Sequence, residues 1–409
     1  MNDRIVEIQV AGLRSLADVR VRLDHGLTLL IGENGAGKSA LMEAVELLRR
    51  AGDSVRHAQD VLASRHGGFR SLLRHGAKEI RLGLTIESKR DEVRYEFSFV
   101  PERSYAFVGD EQVLWKSRGS RAWKRAVHRQ GSVLHSASGY EFAVNDQAAL
   151  GLAWWSDAPD PAKRIVAALR GIDTHFPFET RALWQQQELG VQTGPRWPAV
   201  VEPTKRLSMF GLNLASAFQA LQNRGPKERE RLDGLIAVGL GDDYERFEVL
   251  PIGRGELELG IRFARLASPV PVDALSDGQL AYLCFVALVE LHEGRTLLSF
   301  DEPELHLHPG LVARVAWMLE EAAQHAPVIV ATHSDRILDA LSEPAKAVVL
   351  CELDENRATV LRRPNAERLA EWMERYRGLG SIRADGYERV VFEEDDGATA
   401  EKSTTEEER

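Results

Sequence analysis

Residues 27–39 read Leu-Thr-Leu-Leu-Ile-Gly-Glu-Asn-Gly-Ala-Gly-Lys-Ser, a short apolar strand that runs through a glycine-punctuated loop into a helix. Gly35 and Gly37 let the backbone curl so that successive N–H groups face inward, which makes a nest for a polyanion. The helix that opens near Lys38 adds its partial positive charge. Lys38 can reach the β- and γ-phosphates of a nucleotide, and the Ser39 hydroxyl is placed to ligate Mg²⁺. The apolar run before the loop and Ala40-Leu41-Met42-Glu43-Ala44-Val45 after it supply the strand and helix that such a loop needs.

The rest of the chain has to build a core around this strand. At 409 residues, 44% hydrophobic and 28% charged, it can bury one large core or two modest ones. The longest apolar run, Leu280 to Leu291, falls short of the ~20 residues that span a bilayer, and no leading basic-then-apolar segment resembles a signal peptide. The expectation is a cytoplasmic protein with no membrane partner. Cys284 and Cys351 lie in apolar segments and read as small core residues. A net charge of −10 argues against a uniformly basic nucleic-acid coat, although much of the acidity falls after Phe392.

Residues Arg4 to Leu23 alternate apolar and polar side chains around a Gly12 turn, a hairpin of half-buried strands leading into the nucleotide strand. The helix after Ser39 should end near Ala51-Gly52-Asp53. Arg65 to Gly76 is basic, readable as a solvated connection or as a surface for DNA or partner docking. Ile80 to Ile86 and Val93 to Val100 alternate as antiparallel strands. From Trp115 to Arg129, Lys116, Arg118, Arg121, Lys124, Arg125 and Arg129 are interleaved with Trp115 and Trp123, which suits either a nucleic-acid-facing patch or a basic exposed hairpin. Trp154 to Arg206 shows no clean period and reads as an inserted lid or docking region. Asn213 to Gln222 and Arg229 to Val238 predict helices, and Glu256 to Phe263 a strand. No heptad pattern is sustained, so no long coiled-coil arm is expected.

Signals become dense again at Leu275-Ser276-Asp277-Gly278-Gln279, where Ser276 is a sensible N-cap for the helix that follows. Thr296 to Phe300 is a short buried strand that ends in Asp301-Glu302-Pro303-Glu304. A helix from about Leu311 to Gln324 then leads to Val328-Ile329-Val330-Ala331, which ends in Thr332-His333-Ser334. Strands with polar C-terminal ends, alternating with helices, describe a parallel sheet that holds ligands at its carboxyl edge. Consecutive Asp301 and Glu302 point different ways, so one carboxylate can hold Mg²⁺ while the other polarises a water aimed at a γ-phosphate. His333, on the neighbouring strand, can donate to that phosphate or to the water. His306 and His308, without a third ligand nearby, read as loop-packing residues rather than a zinc site. The helix from Ala366 to Tyr376 should stop at Gly378, and residues 393–409 read as a disordered acidic tail.

Taken together, Gly32 to Ser39, Leu275 to Gln279, Asp301 to Glu304 with His306-Leu307-His308-Pro309, and Thr332-His333-Ser334 resemble the ABC-type ATPase head of the RecF/SMC/OLD group, and within it the compact AAA_21-type (AAA family) ATPases. The resemblance runs from Arg4 to about Leu361. It implies an α/β P-loop head with a mixed sheet and helices, an antiparallel β subdomain and a helical signature subdomain. Its expected divisions are 1–108, an N-terminal lobe with the Walker A loop; 109–210, an inserted lid; 211–392, a C-terminal lobe with signature, Walker B and switch histidine; and the acidic tail 393–409.

By the same resemblance ATP is held by Gly32, Asn34, Gly35, Ala36, Gly37, Lys38, Ser39 and Ala40, with Ser39 and Asp301 as Mg²⁺ ligands. Glu302 is then the catalytic base and His333 the switch histidine. Ser276, Gly278 and Gln279 belong to the signature loop, which in this group contacts the γ-phosphate held by a second subunit, so that ATP is sandwiched in a homodimer. The Mg²⁺-sensing glutamine has no obvious counterpart, and Gln112 is the candidate. The implied activity is Mg²⁺-dependent ATP hydrolysis, used by a sensor or regulator in a nucleic-acid-linked, anti-phage defence system with a nuclease effector in trans. The alternative is a RecF-like ATPase of DNA repair or recombination that binds DNA.

Overall fold

The computed structural model describes residues 3–53, 68–102, 105–144, 150–190, 192–374, 376, 378–386 and 391–392. The basic residues Arg65 and His66 and the acidic tail 393–409 lie outside the described residues.

The Leu27–Gly32 strand is buried along its whole length because it sits inside a six-stranded sheet. The order across that sheet is Ile172–His175, Leu297–Asp301, Val328–Ala331, Leu27–Gly32, Val348–Leu353 and Thr359–Arg362. The first five strands are parallel and the last is antiparallel. Alternate side chains enter two different cores. Leu27, Leu29, Ile31, Leu298, Phe300, Val328 and Val330 face one, while Leu30, Leu297, Ile329 and Ala331 face the other. Period-two alternation thus becomes a near-continuous apolar run when both faces are covered.

One face is covered by the helix Lys38–Asp53 and by an eight-stranded antiparallel sheet. That sheet joins the N-terminal hairpin, Arg4–Leu13 and Leu16–Arg22, to Ile80–Glu87 and then to strands continuing through residues 141–143. The other face carries the signature lobe: a sheet built on Tyr244–Gly253 and Glu256–Phe263, the helices Leu214–Gln222 and Pro226–Leu240, and the buried helix Asp277–Glu290.

The stretch 109–210 is shared among three parts of the molecule. Its first third continues the antiparallel sheet, Ile172–His175 forms an edge of the central sheet, and the segment beyond runs towards the signature helix. The expected basic patch also changes character here. Lys116 pairs with Glu92 at 2.9 Å and Arg118 with Glu87 at 3.3 Å, while Arg129 is buried against Glu111 at 3.1 Å. Lys116 and Arg94 stack on Trp123, and Lys124 on Trp115. Both cysteines are buried as expected. Among the described residues no helix is long and apolar enough to cross a membrane.

Candidate nucleotide site

The loop after the central strand is held open by its neighbours. Gly32 has φ +140°, and a Cβ there would lie 2.1 Å from the Cys351 carbonyl oxygen of the adjacent strand. Gly37 has φ +104°, and a Cβ there would lie 2.2 Å from Thr359 Oγ1. Both positions therefore exclude a side chain. Thr359 Oγ1 in turn sits 2.9 Å from the Ala36 carbonyl and 2.8 Å from Ser15 Oγ, which ties the loop to the N-terminal hairpin. The Lys38 ammonium folds back over the loop and donates to the carbonyls of Gly32 at 2.8 Å and Glu33 at 2.9 Å. Burial lowers its pKa, a strain that a bound polyphosphate would relieve by supplying negative charge.

Parallel pairing then delivers the acids. Asp301 lies opposite Ala331, and Ala331 opposite Leu30, so three strand ends arrive at one edge. Burial pushes the Asp301 carboxyl up to about 6, against the opposing effect of a hydrogen bond from the Ser39 side chain. Glu302 extends the ladder by one bond, its N–H to the Ala331 carbonyl at 2.8 Å, and then turns with φ +51°. This left-handed conformation is uncommon outside glycine. Lys38 feels the charges of Asp301 and Glu302, and His333 those of Lys38, Glu302 and Glu304. The expected residues 32–39, 301, 302 and 333 are thus gathered at one sheet edge. Burial, with the Lys38 charge beside it, lowers the His333 pKa, so its imidazole is neutral at pH 7.

Ser39 and Asp301 suit a divalent cation. A hydroxyl rests against a buried carboxyl that resists ionisation without a counter-charge, and the remaining ligands of such an ion come from phosphate and water. Among the described residues no cluster of three or more His, Cys, Asp or Glu could hold a metal ion. His308 caps the helix Pro309–Ala322 through Nδ1, which accepts the Gly310 N–H at 3.2 Å.

The signature loop stands apart. Ser276 forms a full capping box with Gln279: Oγ accepts the Gln279 N–H at 3.3 Å, and Gln279 Oε1 accepts the Ser276 N–H at 3.2 Å. Gly278 lies against the backbone of His306 and His308. Among the described residues no hydrogen bond or ion pair joins Ser276, Gly278 or Gln279 to the loop of residues 32–39.

Gln112 does not serve as the Mg²⁺-sensing glutamine. It sits mid-strand in the antiparallel sheet, opposite Glu96 and His128, and donates to Glu96 at 3.1 Å. The strand end that flanks Asp301 on its outer side belongs instead to Ile172–His175, followed by Phe176, which lines a cavity of about 390 Å³ together with Ser39, Ala40 and Glu43. The strand was hidden in the sequence because its polar residues are satisfied by distant partners. Thr174 donates to Glu46 at 2.5 Å, and Asp173 receives His175 at 2.9 Å and Arg295 at 2.8 Å. Arg383 was also missed. It comes from the helix Leu379–Ala384, pairs with Asp335 at 3.3 Å, and its charge reaches both Lys38 and His333.

A family profile described as "AAA domain, putative AbiEii toxin, Type IV TA system" matches residues 27–339. Among curated proteins, the DNA replication and repair protein RecF of Gloeobacter violaceus is 34% identical over 89 residues, covering 22% of this chain and 21% of the relative. RecF of Streptomyces avermitilis is 40% identical over 70 residues, 17% of this chain and 18% of the relative. The chain thus matches about a fifth of the length of these relatives. An Smc head bound to the C-winged helix domain of ScpA superposes with TM-score 0.53 at 15% identity, over 90% of this chain and 99% of that one. A Pyrococcus furiosus Smc head with an extended coiled coil, bound to the C-terminal domain of ScpA, gives 0.51 at 14% identity, over 91% and 99%. These two likenesses establish the architecture of the head. With the family profile covering most of the chain, the protein belongs to the AAA_21 family of P-loop ATPases and has the fold of an SMC-type ATPase head.

Proposed function

We propose that this protein hydrolyses ATP in a site completed by a second copy of itself, and that the resulting closed-to-open cycle regulates a nucleic-acid-linked, anti-phage defence system whose nuclease is a separate protein. The observation that carries the reading is the separation just described. Lys38, Asp301, Glu302 and His333 converge on the loop, while among the described residues the capped N-terminus of the signature helix has no bond to that loop.

In this reading the N–H groups of residues 34–40 and the Lys38 ammonium bind the phosphates, and Mg²⁺ held by Ser39 and Asp301 supplies charge neutralisation. Glu302 accepts a proton from a water as its oxygen bonds to the γ-phosphorus. The bond from that phosphorus to the bridging oxygen breaks, and ADP and phosphate leave. Neutral His333 donates a hydrogen bond to the γ-phosphate. Ser276, Gly278 and Gln279 offer a helix N-terminus to the phosphate held by the partner, so ATP joins the two copies. The family description, which names a toxin–antitoxin system, supports the defence setting. The RecF likeness of residues within this head supports a second reading, a DNA-repair ATPase without a nuclease partner.

The test is native mass and ATP turnover of Glu302→Gln, with and without ATP, after purification together with the products of neighbouring genes. A stable ATP-dependent dimer with little turnover, retaining a nuclease, is the expected result. Normal turnover overturns the assignment of Glu302. A dimer that retains no nuclease and binds DNA more tightly with ATP moves the function to repair, and DNA cleavage by the homogeneous protein removes the separate effector.

A further inference from the structure

We infer that Arg196 is the positioning residue that holds the signature loop in the shape a partner's phosphate requires, an inference that rests on the composite-site reading above. Its side chain is only 5% exposed, although it carries a full charge. Three of the four hydrogen bonds from the guanidinium go to one short stretch of chain. Nε donates to the Thr180 carbonyl at 2.6 Å, Nη1 to the carbonyls of Asp273 and Leu275, the latter at 3.0 Å, and Nη2 to Asp277 Oδ1 at 2.7 Å. Three of the four acceptors bracket Ser276, one on each side and one preceding turn.

The planar fork of arginine can meet these acceptors together, whereas an ammonium cannot reach them all. The carbonyl of buried Leu275 lies outside the helix ladder, so without the guanidinium it would be left inside the fold unpaired. The approach of Arg196 is itself built. Gln186 is fully buried and accepts from Trp197 Nε1 at 2.7 Å and from the Thr193 N–H at 3.3 Å, while donating to the Arg181 carbonyl at 2.8 Å. Gly194, at φ +91°, packs so closely on Glu179 that a Cβ would lie 2.2 Å from its carbonyl oxygen. The segment that begins where the strand Ile172–His175 ends beside the Asp301 strand is thereby folded back to set one arginine against the signature loop. On its other side the loop meets the backbone of His306, which follows Glu302. Both flanks of the signature loop are thus anchored to segments that leave the edge where ATP binds.

The test compares Arg196→Lys with its parent in the Glu302→Gln background, since lysine keeps the charge and the bulk of the stem. Three quantities are read: hydrogen exchange of residues 272–280 in the nucleotide-free monomer, affinity of the monomer for a fluorescent ATP analogue, and the concentration at which ATP drives dimerisation. The expected result is faster exchange in that peptide, nucleotide affinity within about twofold of the parent, and dimerisation weakened about tenfold or more, as the loss of charge-assisted hydrogen bonds predicts. Unchanged exchange overturns the inference whatever the dimer does. Equal loss of nucleotide affinity and dimerisation overturns it too, because that marks a general structural residue. If the parent fails to dimerise, the composite-site reading fails, while the exchange data still decide whether Arg196 orders the loop.

Discussion

Glu304 accepts two hydrogen bonds through a single oxygen: Oε1 takes the His333 backbone N–H at 2.9 Å and the Thr332 hydroxyl at 2.8 Å. Its other oxygen, Oε2, is buried without a hydrogen-bond partner among the described residues. The carboxylate following the Asp301-Glu302-Pro303 turn therefore fixes the backbone of the neighbouring strand end at His333, the residue proposed to face the γ-phosphate. Removing it should misplace His333 without emptying the loop that binds the nucleotide. Glu304→Ala is expected to lower kcat about 10–100-fold with little change in nucleotide affinity. Glu304→Gln, whose amide oxygen can still accept both bonds, should fall between the two; steady-state turnover beside equilibrium nucleotide binding checks the order.

A single methyl at Gly37 should be more damaging than its size suggests. Alanine there meets both a left-handed φ and the Thr359 hydroxyl, so the loop must shift at the residue just before Lys38. We expect Gly37→Ala to cost roughly 1–3 kcal/mol of stability and to lose ATP binding. Gly35, whose Cβ direction is open, should tolerate alanine better, losing mainly the ease of its φ of +82°. Thermal melting and nucleotide titration of the two variants separate steric clash from backbone strain.

The phosphate loop, the acidic strand end and the capped signature helix were legible in sequence because each is a local device: its residues act within a few positions of one another. Gly32 to Ser39, Asp301-Glu302 and Ser276-Gln279 all belong to this class. Ile172–His175 was not legible. Four residues give no period, and Asp173 and Thr174 look like loop residues until Arg295 and Glu46 arrive from elsewhere in the chain. Arg196 and Arg383 were hidden for the same reason: Arg196 reaches Asp277 across 81 residues, and Arg383 reaches Asp335 across 48. Gln112 misled because a glutamine between strands can be recognised by type but not by sheet, and its strand joins the antiparallel layer.

The buried triad behind that strand gives a stability prediction. Burial disfavours a charged Asp173, yet His175 and Arg295 together hold its carboxyl well below the usual range. Because the folded pKa is depressed, this stabilisation is present above the ordinary carboxylate pKa and is lost as pH falls beneath it. Arg295→Met leaves the acid buried with one partner fewer and should cost roughly 3–5 kcal/mol at pH 7. The deficit should shrink as pH falls through the higher pKa that Asp173 takes in the variant, while the parent's carboxyl stays ionised, which chemical denaturation at pH 7 and at pH 4 would reveal.

Asp301 behaves in the opposite sense. Its folded pKa of about 6 lies above the ordinary 3.8, so the folded protein binds this proton more tightly than the unfolded chain does. The stability it contributes is complete below about pH 4 and is lost as pH rises through 6. At pH 8 the ionised group therefore costs the nucleotide-free protein roughly 3 kcal/mol. Asp301→Asn removes that cost while keeping the shape, and should melt about 3–4 °C higher than the parent at pH 8, with most of the advantage gone by pH 4. The same variant should hydrolyse no ATP. Since the proton and Mg²⁺ compete for one carboxylate, the Mg²⁺ concentration needed for half-maximal turnover by the unmodified protein should rise as pH falls from 7.5 through 6. A melting temperature that drops on Asp301→Asn at pH 8 would show that the carboxylate is compensated without a cation, and the Mg²⁺ dependence would then be flat across the same interval.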